Sequence, residues 1–313
     1  NGFLYVKCAG SIDADLSINC SKTAAAAEDT VLKVEISHLE GGHSGADIHL
    51  GHANAIKLLS GILQASFKKI PFKLIDLSGG IVRNAIPSKA KAILAVKKSD
   101  AAAPFSTLEA EYKNSVKIYS ATDPNARIDI TETEAEDQDQ LTEEATLSLL
   151  SLLRVLPHGI YRMSPEIKDV VETSCSLSIV SKTPAGFSIK LMPRSLVENG
   201  IQELCMDIED AAKLHNRDNT LVASNYHEPW SSPASNHLID VLNQSSRDVT
   251  GKEFVISAMP AGLECALFAN HNSELQLISI GPTIINPHSP VERLSISGTE
   301  QIYKIMHNSL SKL

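Results

Sequence analysis

Residues 30–38 set Val31, Val34 and Ile36 among Lys33 and Glu35, an alternation that predicts a half-buried strand. Residues 54–67 place Ile56, Leu59, Ile62 and Leu63 on one stripe, the spacing of an amphipathic helix. Between them, residues 39–53 run Leu-Glu-Gly-Gly-His-Ser-Gly-Ala-Asp-Ile-His-Leu-Gly-His-Ala. Strands and helices need side chains for packing, whereas the stretch from Gly41 to Gly45 offers bare backbone N–H groups and one imidazole, which suits a ligand better than a core.

The same reading predicts strands at 72–77 and 89–96, separated by a Gly79-Gly80 turn and a connector at 81–87. It predicts helices at 105–119 and 141–156 with a strand at 127–133 between them, then a hairpin of 172–180 and 186–192 across Lys182-Thr183-Pro184-Ala185, a helix at 196–214 and a closing strand at 221–223. Two strand-helix-strand halves suggest one sheet with helices on one face, an internally doubled unit over 14–223, although no residue-level repeat is visible. From Tyr226 the texture becomes α/β: helices at 233–249, 261–269 and 297–310, strands at 253–257 and 275–280.

Composition narrows the function. At 313 residues, 43% hydrophobic and 21% charged, the chain is long enough for two globular domains. A net charge of −9 without a Lys/Arg cluster argues against nucleic acid and anionic membrane surfaces. The apolar runs are too short to span a bilayer and no signal segment opens the chain, which reads as cytosolic. Cys8, Cys20, Cys175, Cys205 and Cys265 show no Cys-x-x-Cys spacing and are expected to be free thiols. The acidic stretch 132–144 reads as a solvated face and helix start. Asn1 stands where an initiator methionine would, and residues 3–8 read as a buried strand, so a segment of a longer protein is expected.

Four segments taken in order resemble the aminoacyl-histidine dipeptidases, the carnosine-splitting or cytosol non-specific dipeptidases of the di-zinc peptidase clan. They are Gly41-Gly42-His43-Ser44-Gly45 with Ile48-His49; Gly79-Gly80-Ile81-Val82-Arg83-Asn84-Ala85-Ile86-Pro87; Pro260-Ala261-Gly262-Leu263-Glu264-Cys265; and Ile280-Gly281-Pro282-Thr283 running to Pro287-His288-Ser289-Pro290. Each motif alone is weak, but their order and spacing cover nearly the whole chain. The resemblance implies an α/β catalytic domain with an inserted α+β lid that mediates dimer contacts. Residues 1–13 and 224–313 would be catalytic-domain pieces and 14–223 the lid.

The resemblance also implies roles. His288 would be a zinc ligand, and His43 would reach from the lid to stabilise the oxyanion of the tetrahedral intermediate, within the chain or across a homodimer. Asn84 and Arg194 would hold the C-terminal carboxylate of a dipeptide, and Glu264 its free amine. Arg83 is a weaker candidate than Asn84, and His49 and His52 are expected to cap, pack or face solvent. The family's usual histidine before Ala-Gly-Leu-Glu is Pro260 here, and its upstream His-x-Asp, bridging Asp, Glu-Glu pair and further Asp have no counterpart. Two zinc ions need more ligands than one histidine, so the chain as given is expected to be inactive alone. The alternative is a truncated, non-catalytic paralogue that binds peptide or dimerises through its lid. A third reading, an unrelated α+β binding domain, would make the ordered matches coincidental.

Overall fold

The computed structural model describes residues 2–24, 29–98, 103–134, 139–232, 236–272, 274–285 and 292–313. Alternation fixes the first strands. In β1 (Phe3–Cys8) and β2 (Gly10–Asn19), Leu4, Val6 and Cys8, then Ala14, Leu16 and Ile18, are buried while the residues between them within each run are not. Further elements follow as β3 (Lys22–Ala24), β4 (Asp29–Ser37), α1 (Ala55–Phe67), β5 (Lys73–Gly79), β6 (Ala90–Lys97), α2 (Ala103–Ser115), β7 (Arg127–Glu132), β8 (Asp139–Leu141) and α3 (Glu143–Val155). Then come β9 (Gly159–Met163), β10 (Val171–Thr183), β11 (Gly186–Ser195), α4 (Glu198–His215), β12 (Thr220–His227), β13 (Trp230–Ser231), α5 (His237–Thr250), β14 (Val255–Met259), α6 (Cys265–His271), β15 (Ile284–Ile285), β16 (Arg293–Leu294) and α7 (Ile296–Leu310).

Most strands join one antiparallel sheet ordered β12-β2-β11-β10-β5-β6-β4-β7, with β9 beside β10. That order is a doubling. The run β4-α1-β5-β6-α2-β7 lies in space as β7-β4-β6-β5, and β2-α3-β10-β11-α4-β12 lies as β12-β2-β11-β10, so two βαββαβ units share one topology and meet where Val180 of β10 pairs with Gly79 of β5. The second unit carries the first as an insertion between β2 and α3. All four helices send apolar stripes into one core with the sheet, among them Ile56, Leu59, Ile62 and Leu63 of α1, all fully buried. Asn54 starts α1 by accepting the N–H groups of Ile56 and Lys57 on Oδ1, and its Nδ2 donates to Leu177 O of β10 at 2.7 Å, which ties the helix start to the sheet.

A smaller sheet, β13-β1-β14, has β1 and β14 parallel, with Ile239 and Leu242 of α5, Ile302 and Ile305 of α7, and Phe254 just before β14 in one cluster with Leu4 and Val6. The fold therefore combines an α/β portion with an inserted α+β unit, and the large sheet runs from Gly10 to His227.

Several expected boundaries move for local reasons. The helix expected at 141–156 begins at Glu143, because Asp139–Leu141 pairs with β3 and the Thr142 hydroxyl accepts the Ala145 N–H as N-cap. The helix expected at 105–119 tightens into a 3₁₀ turn, Val116–Tyr119. The strand at 275–280 does not form: on that edge of β1, Lys7 and Cys8 already pair with β13, leaving one bridge between Tyr5 and Ser279. The helix at 261–269 starts only at Cys265, after a segment without a capping side chain. The helix expected at 233–249 is seen from His237 after an Asn236 cap, residues 233–235 lying outside the described residues. All five cysteines are free, Cys8 and Cys175 fully buried.

Candidate functional site

The histidine loop is shaped by what its glycines permit. Gly41 and Gly42 adopt φ of 69° and 123°, which side chains disfavour. Gly45 is required by proximity instead: a Cβ there would lie 2.3 Å from the Pro260 carbonyl oxygen and 3.2 Å from Arg194 Cδ. The loop thus touches both β11 and the segment before α6.

Within the loop, the His43 N–H donates to Asp47 Oδ2 at 2.7 Å, and His43 Nδ1 accepts the N–H groups of Gly45 at 3.1 Å and Ala46 at 2.9 Å. An Nδ1 that accepts twice holds no hydrogen, so the neutral ring carries its hydrogen on Nε2. The connector after β5 straps the loop: Ser44 N donates to Asn84 O at 2.8 Å, Ile86 N donates to Gly42 O at 2.8 Å, and His43 forms a bridge with Ala85. Asn84 is half-buried beside Ser44, and its side-chain amide has no hydrogen-bond partner among the described residues.

Arg194 lies on β11 opposite Ser174 of β10, on the sheet face away from the helices, where strand alternation puts Met192 two residues earlier. It is only 6% exposed. Its Nε donates to Ser44 Oγ at 3.4 Å and its Nη2 contacts Met192 Sδ at 3.0 Å, with no carboxylate within ion-pair distance among the described residues. Burial pulls its guanidinium down to about 10, opposed by the more distant charge of Asp13, so it remains cationic at neutral pH. A buried cation on a hydroxyl and a thioether is poorly compensated, and an anionic ligand would compensate it.

Arg83 is spent elsewhere: its Nε is 3.2 Å from Asp13 Oδ1 and its Nη2 2.6 Å from Asp15 Oδ1, which pins the 81–87 connector over β2. Glu264 is exposed, and its side chain makes no hydrogen bond or ion pair among the described residues. His288 lies outside the described residues. The structure therefore brings together His43, Asn84 and Arg194 around Ser44, leaves Glu264 near the Pro260 contact but unengaged, and does not describe His288. Residues absent from the expected set are Ser44, Asp47, Met192 and Asp123; each acts through a contact between distant segments or within the turn, where hydrophobic pattern carries no signal.

His49 is exposed in the short 3₁₀ turn Ile48–Leu50, and His52 Nδ1 sits 3.2 Å from Thr122 O. Near α1, His158 Nδ1 faces Asn54 Nδ2 at 3.3 Å, and burial together with the charge of Lys57 pulls its imidazole down to about 3. Below about pH 6.5 the unfolded chain takes up a proton that native His158 refuses, so stability should fall with pH by up to about 1.4 kcal/mol per unit through this group. Calorimetric melting between pH 7 and pH 4 checks this, and His158→Asn should flatten the slope.

Among the described residues no group of three or more His, Cys, Asp or Glu side chains could hold a metal ion, so these residues do not by themselves fit a zinc centre. No helix of the described residues is long and apolar enough to cross a membrane.

Residues 34–127, inside the first βαββαβ unit, match the peptidase dimerisation domain. The whole chain is 30% identical over 312 residues to the cytosol non-specific dipeptidase of Escherichia coli (strain K12), covering 64% of that protein. In fold it matches the crystal structure of aminoacylhistidine dipeptidase from Vibrio alginolyticus with a TM-score of 0.86 at 26% identity, covering all of this chain and 63% of that one. The chain thus spans a little under two thirds of the length of these relatives. Similarity along this chain in both sequence and fold shows that it resembles the aminoacyl-histidine dipeptidases, residues 34–127 matching the peptidase dimerisation domain.

Proposed function

We propose that this chain is the substrate-holding portion of a cytosolic zinc dipeptidase that hydrolyses Xaa-His and other dipeptides. The observation that carries the reading is the buried Arg194, without a carboxylate partner among the described residues, on Ser44 of the loop that presents His43, with the Asn84 backbone bonded to the same Ser44 and its side-chain amide unpartnered among the described residues. A dipeptide's α-carboxylate supplies the missing anion, taken by the Arg194 guanidinium and the Asn84 amide. His43 Nε2–H donates to the oxygen that becomes negative as the peptide carbonyl is attacked. Gly45 lies against Pro260 of the same chain, which supports His43 serving its own chain's site rather than a partner's. Glu264, close in sequence to that contact, receives the substrate's free amine.

Zinc, with His288 among its ligands, would activate the attacking water. The described residues do not form that centre, so the tasks assigned to this chain are binding and charge stabilisation, and the 313 residues alone are expected not to turn over peptide. We assign residues 14–223 to the lid, 1–13 and 224–313 to the catalytic domain, and a homodimer contact to the lid. The intact protein should hydrolyse Ala-His, lose activity to a chelator and regain it with Zn²⁺. Binding without turnover at saturating Zn²⁺ would favour the non-catalytic peptide binder, and neither binding nor turnover would end the reading.

A further inference from the structure

The loop 41–52 that carries His43 is closed at its neck by one side chain from a distant turn. Asp123 Oδ1 accepts the Glu40 N–H at 2.9 Å, where the chain enters the loop, and Oδ2 accepts the Ala53 N–H at 2.8 Å, where it leaves. The Thr122 hydroxyl donates to the same Oδ2 at 2.9 Å, and His52 Nδ1 stands 3.8 Å from it. The carboxylate is wholly buried. Its backbone is fixed as well, since Asp123 N donates to Tyr119 O at 2.8 Å and Ala126 N donates to Asp123 O at 3.2 Å.

Two oxygens serving two chain ends is a task only a carboxylate performs here. Asparagine at the same place would turn an NH₂ group toward one of the two amides and leave that amide unpaired. Beyond the neck the loop is tied to the body of the fold by the 84–86 strap, the close packing of Gly45 and Ile48, the contacts of Ser44 with Arg194 and Met192 and that of His52 with Thr122 O, while the Asp123 carboxylate joins the two chain ends on which these ties sit.

We infer that Asp123 is a positioning residue: by pinching the loop shut it holds His43 in register with Arg194 and Asn84, without touching substrate itself. The inference rests on the role proposed for His43. In the intact protein, Asp123→Asn should lower kcat about tenfold or more while KM changes less than about threefold, because a displacement on the order of 1 Å at a catalytic donor is enough for such losses. Exchange of the Glu40 and Ala53 amides should speed up, and the ring-nitrogen signals of labelled His43 should lose the pattern of an accepting Nδ1.

Placed in a His43→Asn background, Asp123→Asn should cost nothing further in kcat. An equal loss in both backgrounds, or unchanged exchange and His43 signals, overturns the inference. Should His43→Asn alone leave kcat intact, the role of His43 falls instead, and the exchange and ring signals still decide whether Asp123 holds the loop. If Asp123→Asn does not fold, Thr122→Val keeps the carboxylate and removes one donor. The same changes in smaller measure then support the inference, and none refutes it.

Discussion

Arg194→Met is expected to make the protein more stable and much worse at binding a dipeptide. The guanidinium is buried, cationic and held by Ser44 Oγ and Met192 Sδ alone among the described residues. Methionine has a similar length, leaves no polar atom to satisfy and removes a buried charge, a class of exchange that gains about 1–3 kcal/mol. The same exchange strips the carboxylate of its counter-charge. Losing one member of a buried charge pair costs about 2–5 kcal/mol of binding, so KM for a free dipeptide should rise by about 30-fold or more, with kcat less affected. Thermal melting together with steady-state kinetics checks both halves. A destabilised variant with unchanged KM would mean that Arg194 exists to hold Ser44.

The second large effect concerns kcat. His43 has two duties on opposite ring nitrogens: Nδ1 closes the turn by accepting from Gly45 and Ala46, and Nε2–H is the donor assigned to the oxyanion. Asparagine separates them, because its Oδ1 can take the place of Nδ1 while nothing replaces Nε2–H. His43→Asn should therefore melt within about 1 kcal/mol of the parent while kcat falls about 10²–10³-fold, the usual cost of removing one such donor. His43→Ala should lose the activity and the turn together. An active His43→Asn would reduce the imidazole to a turn-former.

How much of this was legible in the sequence depends on the range of each interaction. Strand β4, the glycine loop and α1 follow from alternation, from two glycines that take positive φ, and from Asn54 at a helix start, all within a few residues. The Glu172 hairpin was equally local, its turn reducing to Pro184-Ala185 between β10 and β11. Strand β2 was absent from the expected elements, although Ala14, Leu16 and Ile18 alternate cleanly; its partners β11 and β12 lie far along the chain. The strand expected at 275–280 failed because pattern cannot tell that β13 already occupies that edge of β1. The doubled sheet was suspected from element order and became explicit only in the strand order, since no residue repeats mark it.

The site divides in the same way. His43, Asn84 and Arg194 were picked out from motifs, and the structure brings them together at Ser44. What holds them there was hidden. Asp123 sits in an Ala-Thr-Asp-Pro stretch that carries no motif, and its carboxylate grips Glu40 and Ala53 from across the chain. Glu264 illustrates the reverse: its motif is clear, but its side chain is exposed and engages nothing among the described residues.

The role proposed for Arg194 and Asn84 is to read a free C-terminal carboxylate. The most direct test compares kcat/KM of the intact, zinc-replete protein for Ala-His and for Ala-His amide, which differ only at that group. The expected preference for the free acid is about 30-fold or more, as one buried charge-assisted contact allows, and it should collapse in Arg194→Met. Equal use of the acid and the amide by the parent protein would contradict it.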